Sequence, residues 1–412
     1  MSIVCWMLFW CGVMVKRSIL IRPETLEHDF IPEQLPRREE EREKLKEFFL
    51  DFFNSKETFT SWIIIGDSGI GKTVLSRRVL KDLESSLGKS IVGAYVNCRL
   101  SRRVYMVLGE LVKHVAPSVP RRGLSRFDLF NVFIEILSER GQNSLIILDE
   151  LGSLFWGQEG EKAGELLYNL SRLSERSVEE FRIKVGVLAI VASHDEASFY
   201  NPQWLDRSIR ASFMRNELRL RRYDKNDLFE ILRYRASLAF LAGSVSEDAL
   251  ELISTYVAEQ QGGNARIAID ILRDAGRLAD KKGDGFLGAE HVRMVLSRHP
   301  TMPHLDPEHL LSLDRHKLVL LLAAIRALKR KGESFVTRVD VEKIYKELCE
   351  EYNEKPRKTT QLIKYIKELG YELRGVMQVE VSGKGQRGRS TRISINVPLE
   401  ELESKVLDLL EG

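Results

Sequence analysis

Short apolar, β-branched runs alternate with helical patterns through the first half of the chain. Residues 61–65 (SWIII), 91–97 (IVGAYVN), 144–148 (SLIIL) and 184–192 (KVGVLAIVA) each predict a buried strand. The stretches between them are long enough for right-handed crossovers, so the pattern predicts an α/β fold whose parallel sheet is covered on both faces. Ahead of the sheet, Pro23, Pro32 and Pro36 mark an extended lead-in, and a charged helix is predicted over about 37–53. Strand signals stop near Ser193. From about 227 to 282 the pattern is helical, with Ser246 and Asn264 as N-caps and Gly243, Gly262 and Gly263 as breaks. A loop rich in Pro and His, 299–307, leads to a region of about 310–400 where three helical patterns precede two strand patterns joined by a Gly- and Arg-rich turn.

Length supports more than one domain, since 412 residues exceed the usual size of a single core. A hydrophobic share of 43% and a charged share of 30% fit a folded globular protein. Sixty-three basic residues against 60 acidic ones leave a net charge of +3, so any nucleic-acid argument must rest on local clusters. The four cysteines, Cys5, Cys11, Cys98 and Cys349, form no C-x-x-C pair, which points to a reducing compartment and to neither a disulfide framework nor a zinc knuckle. His299, His304 and His309 lack the spacing of a metal site. Residues 2–15 are continuously apolar, but too short for a spanning helix and without the flanks of a secretory signal. They are read as an extra or misassigned start, with Met14 as the candidate true start; a strand or helix packed on the core is the alternative, and no membrane role is expected.

The most specific motif is Gly66-Asp67-Ser68-Gly69-Ile70-Gly71-Lys72-Thr73, G-x-x-x-x-G-K-[ST], between a strand and a helix. Its glycines let the backbone wrap phosphate oxygens and its helix N-terminus faces them; Lys72 neutralises the terminal phosphates, and the Thr73 hydroxyl holds Mg²⁺. Val74 and Tyr223 complete the nucleotide set. The strand ending in Asp149-Glu150 supplies a second Mg²⁺ ligand, Asp149, and a carboxylate, Glu150, to polarise the attacking water. His194, at the end of the next strand, can touch the γ-phosphate or that water, and Arg266 opens a helix where a cation calls for an anion. ATP or ADP and Mg²⁺ are the expected cofactors.

Two basic clusters lie in the last domain. Residues 359–369 place Leu362, Ile363, Ile366 and Leu369 on one helical face and leave Arg357, Lys358, Thr359, Thr360, Gln361 and Lys364 for DNA, as a recognition helix would. The turn 383–392 carries Lys384, Arg387, Arg389 and Arg392 with three glycines and no acid, as a wing that follows phosphates or enters a minor groove.

With these motifs in order, residues from Pro23 to the C-terminus resemble the AAA+ superfamily and, more narrowly, the archaeal replication initiators of the origin recognition complex and cell division control type. The resemblance includes the lead-in Leu35-Pro36-Arg37-Arg38-Glu39, and Gly263-Asn264-Ala265-Arg266 followed by Ile269-Asp270-Ile271-Leu272-Arg273, which is similar to a sensor-2 helix. It implies that Leu35, Pro36, Arg37 and Arg38 lie near the adenine, that His194 is sensor 1 where the family often has Asn, and that Arg266 contacts phosphate. Residues 119–125 look like the start of the initiators' helical insertion, which puts Arg121, Arg122 and Arg126 on DNA. At 205–210 the stretch resembles the arginine finger, but the expected arginine is Ser208, so Arg207 or Arg210 would have to substitute.

The implied organisation is an N-terminal extension over 1–21, an AAA+ nucleotide-binding core over 22–222, a helical lid over 223–300 and a winged-helix DNA-binding domain over 301–412. The implied function is an ATP-regulated initiator, cytoplasmic and nucleoid-associated, that binds duplex DNA at origins, hydrolyses ATP slowly as a switch, and works with other initiator copies and the replicative helicase. A remodelling ATPase anchored on DNA, such as a clamp loader or a transposition or transcription regulator, is the alternative. A nucleotide-stabilised DNA-binding protein without hydrolysis is a third.

Overall fold

The computed structural model describes residues 18–120, 122–173, 183–298, 310–381 and 391–411. Arg121, Lys384, Arg387, Arg389, the three linker histidines and the apolar run 2–15 lie outside the described residues. The chain forms two compact units, one of residues 29–227 with 262–266, the other of the remainder.

In the first unit, β1 (Phe59–Gly66), β2 (Ile91–Asn97), β3 (Asn143–Asp149), β4 (Val185–Ala192) and β5 (Glu217–Arg219) form one sheet in the order β2-β3-β4-β1-β5. Every pairing is parallel. β4 is buried along its whole length, which is why it reads as an unbroken Val/Ile/Leu run rather than an alternation. β5 corrects the expectation that strands end near Ser193. It is a three-residue edge strand whose two end residues are exposed and charged, so no apolar run announces it. Helix α1 (Glu39–Asn54) precedes the sheet, and α2 (Lys72–Leu87) follows the phosphate loop. After a single helical turn at Cys98–Ser101, two longer helices, α3 (Val104–Val115) and α4 (Arg126–Glu139), lie between β2 and β3. Positions 122–125 are not helical; Ser125 and Asp128 close a capping box that starts α4 at Arg126. α5 (Gly160–Ser171) and α6 (Arg207–Phe213) come later in the same unit.

Four helices build the lid: α7 (Lys225–Ala239), α8 (Glu247–Gln260), α9 (Ala265–Lys282) and α10 (Ala289–Leu296). Ser246 caps α8 by accepting the Ala249 N–H. Residues 18–21, grouped above with the N-terminal extension, pack here: Ile19 is buried, its N–H donates to Asp280, and the Ile21 N–H donates to Ala239 O. The winged helix consists of α11 (Arg315–Lys331), β6 (Phe335–Thr337), α12 (Arg338–Glu351), α13 (Thr359–Glu372), β7 (Met377–Val381), β8 (Thr391–Ile395) and α14 (Leu399–Glu411). Its antiparallel sheet runs β6-β8-β7. β6 and α14 were not foreseen. On α13, Leu362, Ile366 and Leu369 enter the core, each worth on the order of 1.5–3 kcal/mol. Ile363 does not join them: one position round the helix from Leu362, it stays 38% exposed.

Candidate functional site: a phosphate loop and a basic winged helix

The order of the strands positions the chemistry. β4 lies between β3 and β1, so its end falls between the Asp149-Glu150 pair and the loop that follows Gly66. Gly69 and Gly71 hold φ of +78° and +91°, left-handed values that an L side chain resists. Lys72 starts α2, and its Nζ donates to Gly66 O and Asp67 O, both at 2.6 Å. Burial lowers the Lys72 pKa, opposed chiefly by the Asp149 carboxylate.

Asp149 is buried, and its Oδ2 accepts both the Thr73 hydroxyl and the Tyr95 hydroxyl, each at 2.8 Å. A hydroxyl and a carboxylate already in contact are the donor set a hard cation uses, so Thr73 and Asp149 fit Mg²⁺. Burial, with Asp149 beside it, pushes the Tyr95 hydroxyl up and keeps it a donor. Glu150 has φ of +52° and turns out of the strand; its N–H donates to Asp149 Oδ1 and its carboxylate lies 3.8 Å from Arg99 Nε. Asp67 accepts from Ser193 and from Arg222, whose Nε is 2.5 Å away, and both bonds lower its pKa.

The segment 263–266 is brought to the same loop. The Ala265 N–H donates to Gly69 O at 3.0 Å, and a side chain at Gly69 would collide with Asn264. Asn264 accepts the Arg266 N–H, capping α9, and the exposed Arg266 adds a positive potential at Lys72. Tyr223 is buried with its hydroxyl against Gly71 and its backbone against Gly263, whose φ is +74°. Its partner is Arg38, which the resemblance groups with the lead-in near the adenine but does not tie to Tyr223. Arg38 donates to Tyr223 Oη at 3.1 Å, Glu41 at 2.8 Å and Arg221 O at 2.6 Å, with its guanidinium over the Tyr223 ring. Leu35 is buried, Pro36 is half-buried, and Arg37 reaches Asp227 at 3.5 Å. Replacing Arg38 with Ala should cost about 3 kcal/mol, because it strips buried partners of their cation. Thermal melting checks this, and an unchanged midpoint removes Arg38 from the architecture of the site.

His194 is 55% exposed, with Nε2 3.4 Å from Asp195 Oδ1. At the finger-like stretch, Ser208 accepts from Arg172 at 2.6 Å, and Arg210 is tied to Tyr200 O and Leu205 O. Arg207 is exposed and has no partner among the described residues. Of the expected DNA contacts, Arg357, Lys358, Thr359, Thr360, Lys364 and Arg122 are exposed and Gln361 is half-buried. Thr359 also donates to Glu342, and Lys364 lies 3.6 Å from Glu368. Arg126 pairs with Glu165 at 3.1 Å. Arg392 is engaged within the protein instead of standing free: it stacks on Phe335 and lies 3.6 Å from Glu251 of α8.

That contact belongs to a wider seam between lid and winged helix. Ser334 donates to Asp248 through its N–H and hydroxyl, Gln378 donates to Glu259 at 2.6 Å, and the buried Arg293 donates to Ile395 O at 2.9 Å and Glu333 O at 3.3 Å. No helix among the described residues is long and apolar enough to cross a membrane.

Comparison with known proteins agrees with this architecture. Residues 56–193 match the family model described as AAA domain, 229–296 the Cdc6 AAA+ ATPase-type lid domain, and 308–405 the CDC6, C terminal winged helix domain. The chain is 32% identical over 398 residues to the ORC1-type DNA replication protein 2 of Saccharolobus solfataricus, covering 94% of this chain and 93% of that one. It is 28% identical over 397 residues to the ORC1-type DNA replication protein 1 of Methanosarcina acetivorans, with 95% and 91% covered. Its fold matches the crystal structure of Cdc6p from Pyrobaculum aerophilum at a TM-score of 0.72 and 27% identity, over 96% of this chain and 99% of that one. With a sheet, lid and winged helix that all match, and a relative above 30% identity along nearly its full length, the chain belongs to the archaeal Orc1/Cdc6 family of AAA+ replication initiators.

Proposed function

We propose that this protein is an ATP-gated origin-binding initiator. The carrying observation is the meeting of phosphate loop and lid motif: Asn264, Ala265 and Arg266 stand at Gly69 and Lys72, where a terminal phosphate would be gripped from two sides. In this reading Gly66, Asp67, Ser68, Gly69, Ile70, Gly71, Lys72, Thr73 and Val74 cradle ATP or ADP, with Tyr223, Leu35, Pro36 and Arg37 beside the base. Thr73 and Asp149 hold Mg²⁺, which neutralises the phosphates when bound. Glu150 polarises the attacking water. With Ser208 paired to Arg172, stimulation in trans falls to Arg207, and hydrolysis is slow enough to serve as a timer.

The winged helix contacts duplex DNA at the origin through Arg357, Lys358, Thr359, Thr360, Gln361 and Lys364, joined by the wing residues Lys384, Arg387 and Arg389; Arg121 and Arg122 add a second contact. Other initiator copies and the replicative helicase are the partners this assembly would recruit. Changing Arg357 and Lys358 together to Ala should weaken binding to all sequences and flatten the log–log salt dependence by about 1.8, at about 0.9 per lost phosphate contact. An unchanged slope in filter binding takes both off the DNA.

The deciding experiment incubates the protein with sheared genomic DNA at physiological salt, with ATP or with ADP, and sequences what is retained. Retention of one or a few loci supports an origin initiator. Uniform, steeply salt-dependent retention would make DNA an anchor only and the protein a remodelling ATPase.

A further inference from the structure

Asp195 is the one residue near the end of β4 whose chemistry the reading above leaves unused. Its side chain is buried at 1% exposure, and its Oδ1 has no hydrogen-bond partner among the described residues. A buried, unsatisfied carboxylate oxygen is costly, and a protein retains one where a partner completes it. The side chain within reach is His194, with Nε2 3.4 Å away, a separation that a small ring rotation closes.

Two contacts fix where this pair sits. On one side Ser193 is bonded to Asp67 of the phosphate loop. On the other, Gly152, two residues beyond Glu150, packs so tightly on Asp195 that a side chain at 152 would lie 2.5 Å from its Cβ. The turn 193–195 that carries His194 therefore joins the loop that would hold the terminal phosphate to the segment that follows Glu150. An imidazole whose Nε2–H is held by a carboxylate presents the Nδ1 lone pair as an acceptor, the logic by which a carboxylate sets the tautomer of a base. The asparagine frequent at this position in the family can donate through its amide but cannot take a proton.

Resting on the nucleotide site proposed above, the geometry points to His194 and Asp195 as a carboxylate–imidazole pair that accepts the proton of the water attacking the γ-phosphate. The water oxygen bonds phosphorus, the bond to the β-phosphate oxygen breaks with its electron pair leaving on ADP, and the released proton goes to His194 Nδ1. Asp195 is the positioning residue behind it. Glu150 shares the task of orienting the water. Other charged groups on the surrounding elements include Asp67 with its partner Arg222, Lys72 at the phosphate loop, Arg266, Asp149 at the end of β3, and Glu196 with its partner Arg219.

The test compares the full-length protein with His194→Asn, Asp195→Asn and the double variant. It measures single-turnover ATP hydrolysis between pH 5.5 and 8.5 and ATP affinity at each pH. The expected wild-type rate falls on the acid side. His194→Asn should lose about 10- to 100-fold in rate at neutral pH, less than the full reach of acid–base catalysis because Glu150 remains, and lose the acid limb. ATP affinity should stay within a few-fold. Asp195→Asn should slow hydrolysis only where His194 is present.

An acid limb that persists in His194→Asn, or an Asp195→Asn defect of equal size in both backgrounds, would overturn the pair. ¹⁵N shifts of His194 give a second reading that does not depend on turnover: protonated Nε2 with bare Nδ1 supports the pair, and the opposite tautomer sinks it. Wild-type protein that binds no ATP at all would remove the nucleotide site itself, a failure separable from that of the pair.

Discussion

Glu150→Gln should lower single-turnover ATP hydrolysis by about 10²- to 10⁴-fold while leaving ATP bound. Glutamine keeps the shape of the side chain and the left-handed backbone at this position, so only the ability to polarise water is lost. The Asp149 contacts with Thr73 and Tyr95 do not involve Glu150, and the cation site should survive. Removing a negative charge beside the phosphates should leave ATP affinity the same or somewhat higher. The protein should thus be trapped in its ATP form, visible as retained nucleotide after gel filtration. Turnover within a few-fold of wild type would mean that Glu150 does not polarise the water, and would leave that task to His194.

Lys72→Met has the opposite signature. ATP affinity should fall by about 10- to 150-fold, the worth of one charge-assisted contact of about 1.5–3 kcal/mol, and the ATP-dependent rise in melting temperature should shrink accordingly. In the nucleotide-free protein the change should be mild, because the Lys72 ammonium donates to two neutral backbone carbonyls and its burial is itself unfavourable. The pH dependence carries its own sign. Burial lowers the Lys72 pKa, so between the depressed value and the ordinary lysine range the unfolded chain binds more protons than the folded one. Stability of the free protein should therefore rise with pH through that window, and Lys72→Met should flatten the rise. A variant that keeps the full ATP shift would take Lys72 out of phosphate binding.

The parts of this site legible in the sequence are those whose chemistry is contiguous. Residues 66–73 and the Asp149-Glu150 pair name themselves, because spacing along the chain is the spacing that wraps a phosphate or ends a strand. Arg38, Tyr95 and Arg222 did not announce their roles, since each acts on a partner remote in sequence: Tyr223, Asp149 and Asp67, respectively. Only the sheet brings them together. β5 was hidden for a different reason: a short, exposed edge strand carries almost no hydrophobic signal. α14 was legible, with Leu399, Leu402, Val406 and Leu410 at helical spacing, and its omission was a failure to extend the pattern past the wing. Arg392 shows the limit of charge clustering, which counts cations without asking whether the fold has already given them an anion.

The seam between lid and winged helix also bears on how such a chain can be recombined. Arg293 lies buried with its guanidinium on backbone carbonyls of the C-terminal domain, while Asp248, Glu251 and Glu259 meet Ser334, Arg392 and Gln378. A winged helix exchanged for that of a relative would keep its own core, yet face the lid with mismatched partners and leave a buried cation without its acceptors. Such chimaeras should tolerate the exchange only when the lid surface is transplanted with it, since lid and winged helix pack as one structural unit although separate family models match them.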